Sequence, residues 1–160
     1  MSRETGNLFG ATFPADADAP RAGRAVLAEF SEDLGSDLTF RLALLLSDAV
    51  TNRVLDQAAS GHPGRVQIAF AIADLRVRGS VTDAESPEAR SNGSGSIAMR
   101  EIEAGMMGSL ADSWGIAKGA DGRVSIWFEL DRLPALTSEA YAERFQATLV
   151  ARRNGGSQHA

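Results

Sequence analysis

The sequence predicts an α+β fold: a two-layer α/β sandwich whose mixed, mostly antiparallel sheet carries helices on one face. Three observations predict it. Two pairs of alternating apolar runs, "RVQIAFAIAD" with "LRVRGSVTD" and "SWGIAKG" with "RVSIWFEL", are each joined by a short turn, the pattern of hairpins. Apolar residues at three- and four-residue spacing mark helices, and these fall in groups between the strands. The composition is that of a globular chain, 44% hydrophobic and 23% charged over 160 residues, enough to bury a core. One domain is expected over residues 1–153, with 154–160 as a flexible C-terminal tail.

The first segment, "NLFGATFPAD", carries Leu8, Phe9 and Phe13 and predicts a short edge strand ending at Pro14. From Pro20 the pattern becomes helical, with Ala25, Val26, Leu27, Phe30 and Leu34 on one stripe and Gly35 as the stop. A second helix opens at Ser36-Asp37 and runs to about Ser60, before "GHPG". In the following hairpin, Val66, Ile68 and Phe70 share one face of the first strand. Leu75, Val77 and Val81 face the core from the second if Gly79 is a bulge or a point of close packing. The stretch "AESPEARSNGSGS" has no apolar periodicity and reads as a loop. A helix from about Ile97 to Ser113 follows, with Met99, Ile102, Met106, Met107 and Leu110 as its stripe; methionines at this spacing read as gap-filling core in preference to a ligand groove. Two more strands flank the turn at "GADG", and "TSEAYAERFQATLVARRN" predicts a final helix capped at Thr137/Ser138.

Charge and residue usage exclude several functions. A formal charge of −5, with Arg152-Arg153 as the longest basic cluster, gives no attraction to a phosphate backbone, so direct nucleic-acid binding is not expected. There are no cysteines, and the two histidines, His62 and His159, lie in a turn and a tail, so neither disulfides nor a zinc site are expected. No segment approaches the roughly 18 apolar residues of a membrane span, and a cytoplasmic location without membrane contact is the expectation.

The second helix contains the informative anomaly. In "LLLSDAVTNRVLDQ", Asp48 and Asn52 interrupt an otherwise apolar run. Polar groups buried without partners cost about 1–3 kcal/mol each, so something must compensate them. Positions four apart lie about 40° apart around a helix, so the two side chains form one polar spot, with Arg41 on the same line. Pairing with Arg41 or with neighbouring backbone is one compensation. The other is a ligand: a carboxylate can position a water while an amide oxygen suits Mg²⁺. Asp83, ending a strand just before a Gly/Ser loop, is placed to accept a hydrogen bond from an exocyclic amine, and the next helix start could hold phosphate. Together these outline a nucleotide site.

On these residues the chain resembles the bacterial anti-sigma-factor serine kinases, within the Bergerat-type (histidine-kinase-like) ATP-binding superfamily. "SDAVTNRVLDQ", Ser47 to Gln57, is similar to the family's N-box, "SELVTNAVRHA". "FPAD" with "PRAGRAV", "VTDAESPEA", "SLADSWGI" and "IWFEL" resemble four further family segments in the right order, over about residues 9 to 130. The resemblance implies ATP and Mg²⁺ as cofactors, Asn52 as the metal ligand, Asp83 as the adenine-reading carboxylate and Asp48 in the place of the general-base glutamate. It implies a cytoplasmic homodimer whose partners are a sigma factor and an anti-anti-sigma protein, the latter phosphorylated on serine or threonine if the chain is an active kinase. The chain also departs from the family. Asp48 is one methylene shorter than glutamate; Arg53 replaces a small alanine, entering the nucleotide pocket or pointing elsewhere; Asp56 stands where histidine or lysine is common. Glu101, Ile102, Glu103 and Ala104 fall in the register of the "GRGL" phosphate lid, leaving "NGSGS", with Gly93 and Gly95, either as a re-registered substitute lid or as a flexible surface loop with no phosphate role. A degenerate binding module without ATP turnover is therefore the alternative expectation.

Overall fold

The computed structural model describes residues 7–61, 63–85 and 106–132. Strand β1 (Asn7–Pro14) is followed by helices α1 (Ala19–Ala28), α2 (Ser31–Leu34) and α3 (Ser36–Ala59). Strands β2 (Arg65–Ile72) and β3 (Arg76–Asp83) come next, then the short helix α4 (Met106–Leu110) and strands β4 (Ser113–Lys118) and β5 (Val124–Asp131). The five strands form one sheet in the order β1-β2-β3-β5-β4, and every pairing is antiparallel. The helices pack on one face, so the predicted α+β sandwich is the observed fold, with an edge strand ending at Pro14 as expected.

Local chemistry accounts for the helix boundaries. Pro20 sits in the first turn of α1, where its missing N–H costs nothing, and Asp16 Oδ1 accepts the backbone N–H of Asp18 at 3.0 Å just before it. The single helix expected up to Leu34 is instead broken at Phe30, whose backbone (φ −123°, ψ 18°) leaves the helical region. The break drops Phe30 into the core, stacked on Phe9 at 4.6 Å and edge-on to Phe70 at 5.3 Å. Gly35 then turns the chain into α3 at φ +78°, a conformation that glycine adopts without strain.

α3 is the central helix, 24 residues long. Leu38, Leu42, Leu45, Leu46, Ala49 and Val50 recur on its inner side and meet Val66, Ile68, Phe70, Val77, Val81, Ile126 and Phe128 from the sheet. In β3 the alternation of period two sends Val77, Gly79 and Val81 inward, and the same alternation carries Asp83 inward at the strand's end. Leu75 corrects the sequence reading: it lies in the β2–β3 turn and is 59% exposed. The β2–β3 register runs without a bulge, so Gly79 is a point of close packing. A Cβ there would lie 2.4 Å from the ring of Phe128, its buried cross-strand partner. Met107 is buried in the core as expected, whereas Met106 is exposed. The helix stops at Leu110, and β4 begins at Ser113.

Met99, Ile102 and the rest of the first part, 97–105, of the helix expected over 97–113, the expected lid segment with Gly93 and Gly95, and the expected C-terminal helix and tail fall outside the described residues. Among those that are described, no helix is long and apolar enough to cross a membrane.

Gly79→Ala is expected to lower stability by about 1–3 kcal/mol through overpacking against Phe128. Urea denaturation should show Phe128→Leu recovering part of that loss when the two changes are combined; strict additivity would mean the ring is not the obstacle.

Candidate functional site

The inner stripe of α3 turns polar in its second half. Helical periodicity that buries Ala49 and Val50 also buries Arg53 and Gln57, and places them beside the end of β3. Arg53 is 3% exposed and Asp83 4%, and they meet as a fork. Arg53 Nε donates to Asp83 Oδ1 at 3.1 Å, and Nη2 donates to Oδ2 at 2.6 Å. Nη2 also reaches Asp56 Oδ2 at 3.0 Å, one helical turn further along. Gln57 Nε2 donates to Asp83 Oδ1 at 2.8 Å, while its Oε1 accepts the Gly64 N–H at 2.9 Å, which fixes the amide orientation. Two acids, one guanidinium and one amide thus close on each other at the junction of α3, β2 and β3.

Asp48 and Asn52 occupy the neighbouring flank of the same helix, since five residues separate Asp48 from Arg53 and turn the helix by about 140°. Asn52 Nδ2 donates back to the Asp48 carbonyl at 2.9 Å, a backbone compensation of the kind the sequence left open. The other compensation considered there, pairing of this spot with Arg41, does not occur. Arg41 Nη2 donates instead to the Leu110 carbonyl at 2.7 Å, tying α4 to α3, and lies 3.7 Å from Asp112. Asp48 Oδ2 is buried without a hydrogen-bond partner among the described residues, and burial raises the carboxyl's pKa above its ordinary value. That orphan oxygen and the unused Asn52 carbonyl are hard donors of the type a water or Mg²⁺ takes. No cluster of three metal-ligating side chains occurs among the described residues.

The implied cofactor, Mg-ATP, can be tested against this geometry. Asp48 and Asn52 suit its metal-phosphate end in chemistry. The adenine end does not fit the site as built, because each oxygen of Asp83 is already engaged by Arg53 or Gln57. A base would have to break a buried ion pair, a loss of about 3–5 kcal/mol, to gain hydrogen bonds worth about 1.5–3 kcal/mol. Gly93 and Gly95 lie outside the described residues. An open hollow of about 420 Å³ by the β4–β5 turn, lined by Thr82, Lys118, Arg123 and Ser125 among others, contains none of the predicted site residues.

Sequence reasoning identified Arg53 and Asp56 as departures from the N-box but did not connect them, and it passed over Gln57. The available signal was positional: Arg53 and Gln57 are four apart and continue the Leu42–Leu46–Ala49 stripe inward, where an unpaired guanidinium would be prohibitive. A buried arginine demands an acid, and the inward parity of β3 leaves Asp83 as the nearest strand-end candidate.

No protein-family model matches the chain, and no curated protein matches it at the sequence level. Among solved structures it is similar to the RsbU and RsbW domains of Rv1364c from Mycobacterium tuberculosis, with a TM-score of 0.56 and 25% sequence identity. The match covers 80% of this chain and 33% of that one, so the chain spans about a third of the solved chain's length.

Two stability measurements probe the site. Arg53→Met should cost about 3 kcal/mol or more by stranding Asp83, and Arg53→Met combined with Asp83→Leu should cost at least about 2 kcal/mol less than the sum of the single changes. For Asp48, the folded-state pKa lies above the unfolded one, so the ionised side chain destabilises the fold at neutral pH and protonation relieves it as pH falls. Asp48→Asn should therefore raise Tm by roughly 2 °C at pH 7, a modest figure because the residue is partly exposed, and the advantage over wild type should vanish as pH falls below the ordinary aspartate range.

Proposed function

We propose that the chain is an RsbW-like regulatory module of the anti-sigma type, which works by holding a protein partner: a sigma factor, an anti-anti-sigma protein, or each in turn. The supporting observation is the shared fold with a protein whose solved region comprises RsbU and RsbW domains, reached independently from the five ordered sequence segments that resemble anti-sigma-factor kinases. Regulators of this type are cytoplasmic homodimers, and both properties are part of the proposal. The engagement of Asp83 by Arg53 favours the non-catalytic form of this reading, in which partner binding proceeds without ATP turnover.

A second reading is favoured by one specific observation, the partnerless oxygen of Asp48. It is an ATP- and Mg²⁺-dependent serine/threonine kinase, with Asp48 as general base, Asn52 as metal ligand, Asp83 as adenine reader, and Gly93 and Gly95 in the lid. Phosphoryl transfer depends mainly on positioning and charge neutralisation, so a base one methylene short and a closed adenine end both weigh against it.

The full chain, tagged and recovered from its host, should bring down a sigma factor or an anti-anti-sigma protein identifiable by mass spectrometry; recovery of neither contradicts the regulator reading. With the recovered partner and labelled Mg-ATP, no phosphate transfer is expected. Transfer abolished by Asp48→Ala would establish the kinase reading instead.

A further inference from the structure

The fork at the end of β3 has a consequence beyond stability. A guanidinium presents two parallel N–H donors to a carboxylate, and in this chain Nε and Nη2 take one oxygen of Asp83 each. The amine-bearing edge of a purine at this position would have to take one of those two oxygens, each already held by a buried donor. Gln57 cannot swing aside to make room, because its Oε1 is held by the Gly64 N–H while its Nε2 donates to the same carboxylate. Asp56 supplies a second negative partner at 3.0 Å, so Arg53 is held by an acid on its own helix as well as by the strand. Arg53 and Asp83 are both withdrawn from water, which removes solvent as a competitor for the pair.

We infer that Arg53 is a built-in substitute for an adenine base: it occupies Asp83 from within the chain, so that this end of the site is complete without nucleotide. The inference deepens the regulator reading and rests on it for the identity of the ligand that Asp83 has lost. It also joins the two unusual N-box residues into one device, since an arginine at 53 without the acid at 56 would have a single partner, and an acid at 56 without the arginine would have none at this distance. Adenine binding to the wild type must first expel the guanidinium, which weakens affinity by about 100-fold or more relative to the same site with Asp83 open.

Isothermal titration of the full chain with Mg-ATP, and separately with adenosine, tests this. The wild type should give no saturable binding up to millimolar ligand, whereas Arg53→Ala should bind adenosine at least about 100-fold more tightly, and adding Asp83→Asn to that variant should abolish the gain. If Arg53→Ala does not fold by circular dichroism, Arg53→Lys, which retains the charge but cannot span both oxygens, should show the same gain at smaller size. Saturable adenosine binding by the wild type that Asp83→Asn removes would overturn the inference, as would a folded arginine variant that binds no more tightly than the wild type. The outcome is separable from that of the regulator reading: a chain that recovers no sigma factor or antagonist yet gains adenosine binding in Arg53→Ala retires the partner and keeps the internal base.

Discussion

A buried guanidinium sets the terms for this molecule. Arg53 lies on the inner stripe of the central helix, at a depth where an uncompensated charge would cost several kcal/mol, and the fold answers with the Asp83 carboxylate at 2.6 and 3.1 Å. That one requirement fixes how the second half of α3 sits over the ends of β2 and β3. It also constrains what Asp83 can do, because both oxygens of a carboxylate committed to a fork and to Gln57 already serve buried donors, which a visiting amine would have to displace or crowd. Buried ion pairs of this kind add little net stability over an apolar replacement, but breaking one is costly, so the pair acts as a commitment more than as a source of stability.

The two flanks of α3 are satisfied to different degrees. On one, Arg53, Asp56 and Gln57 form a mutually satisfied network with Asp83. On the other, Asp48 keeps a buried oxygen without a partner among the described residues, and burial raises its carboxyl's pKa, which makes it the candidate ligand contact of this flank. The chain shares its fold with a protein of RsbU and RsbW domains, and its candidate site, unpartnered at Asp48 and filled by the chain's own side chain at Asp83, is consistent with the proposed regulator that holds a partner without nucleotide.

Much of the fold was legible in the sequence because periodicity carries it. The alternation in 65–72 and 76–83, the edge strand closed by Pro14 and the long helix opened at Ser36 all follow from one residue's relation to its neighbours, whereas Gly79 could be read as a bulge or a close packing point until its cross-strand partner Phe128 was placed. What escaped depends on distant partners. The break at Phe30 exists because Phe9 and Phe70, far away in sequence, leave a slot for a ring. Arg41 lies on the same helical line as Asp48, yet the Leu110 carbonyl outcompetes it. Arg53 was visible as an oddity, but whether it pointed into the site was undecidable until the parity of β3 and the inner stripe of α3 were brought to the same place. Leu75 was misread for the opposite reason: its apolar side chain extends the strand pattern by one residue into a turn that the core does not cover.

The central claim concerns one bond pair, and it can be observed directly in solution. Hydrogen exchange of the Arg53 Nε–H, followed by NMR, is expected to be strongly protected and unchanged by millimolar Mg-ATP, because the proton is locked on Asp83 whether or not nucleotide is present. Rapid exchange in the free protein, or loss of protection when Mg-ATP is added, would show that the guanidinium leaves Asp83 and would contradict the account.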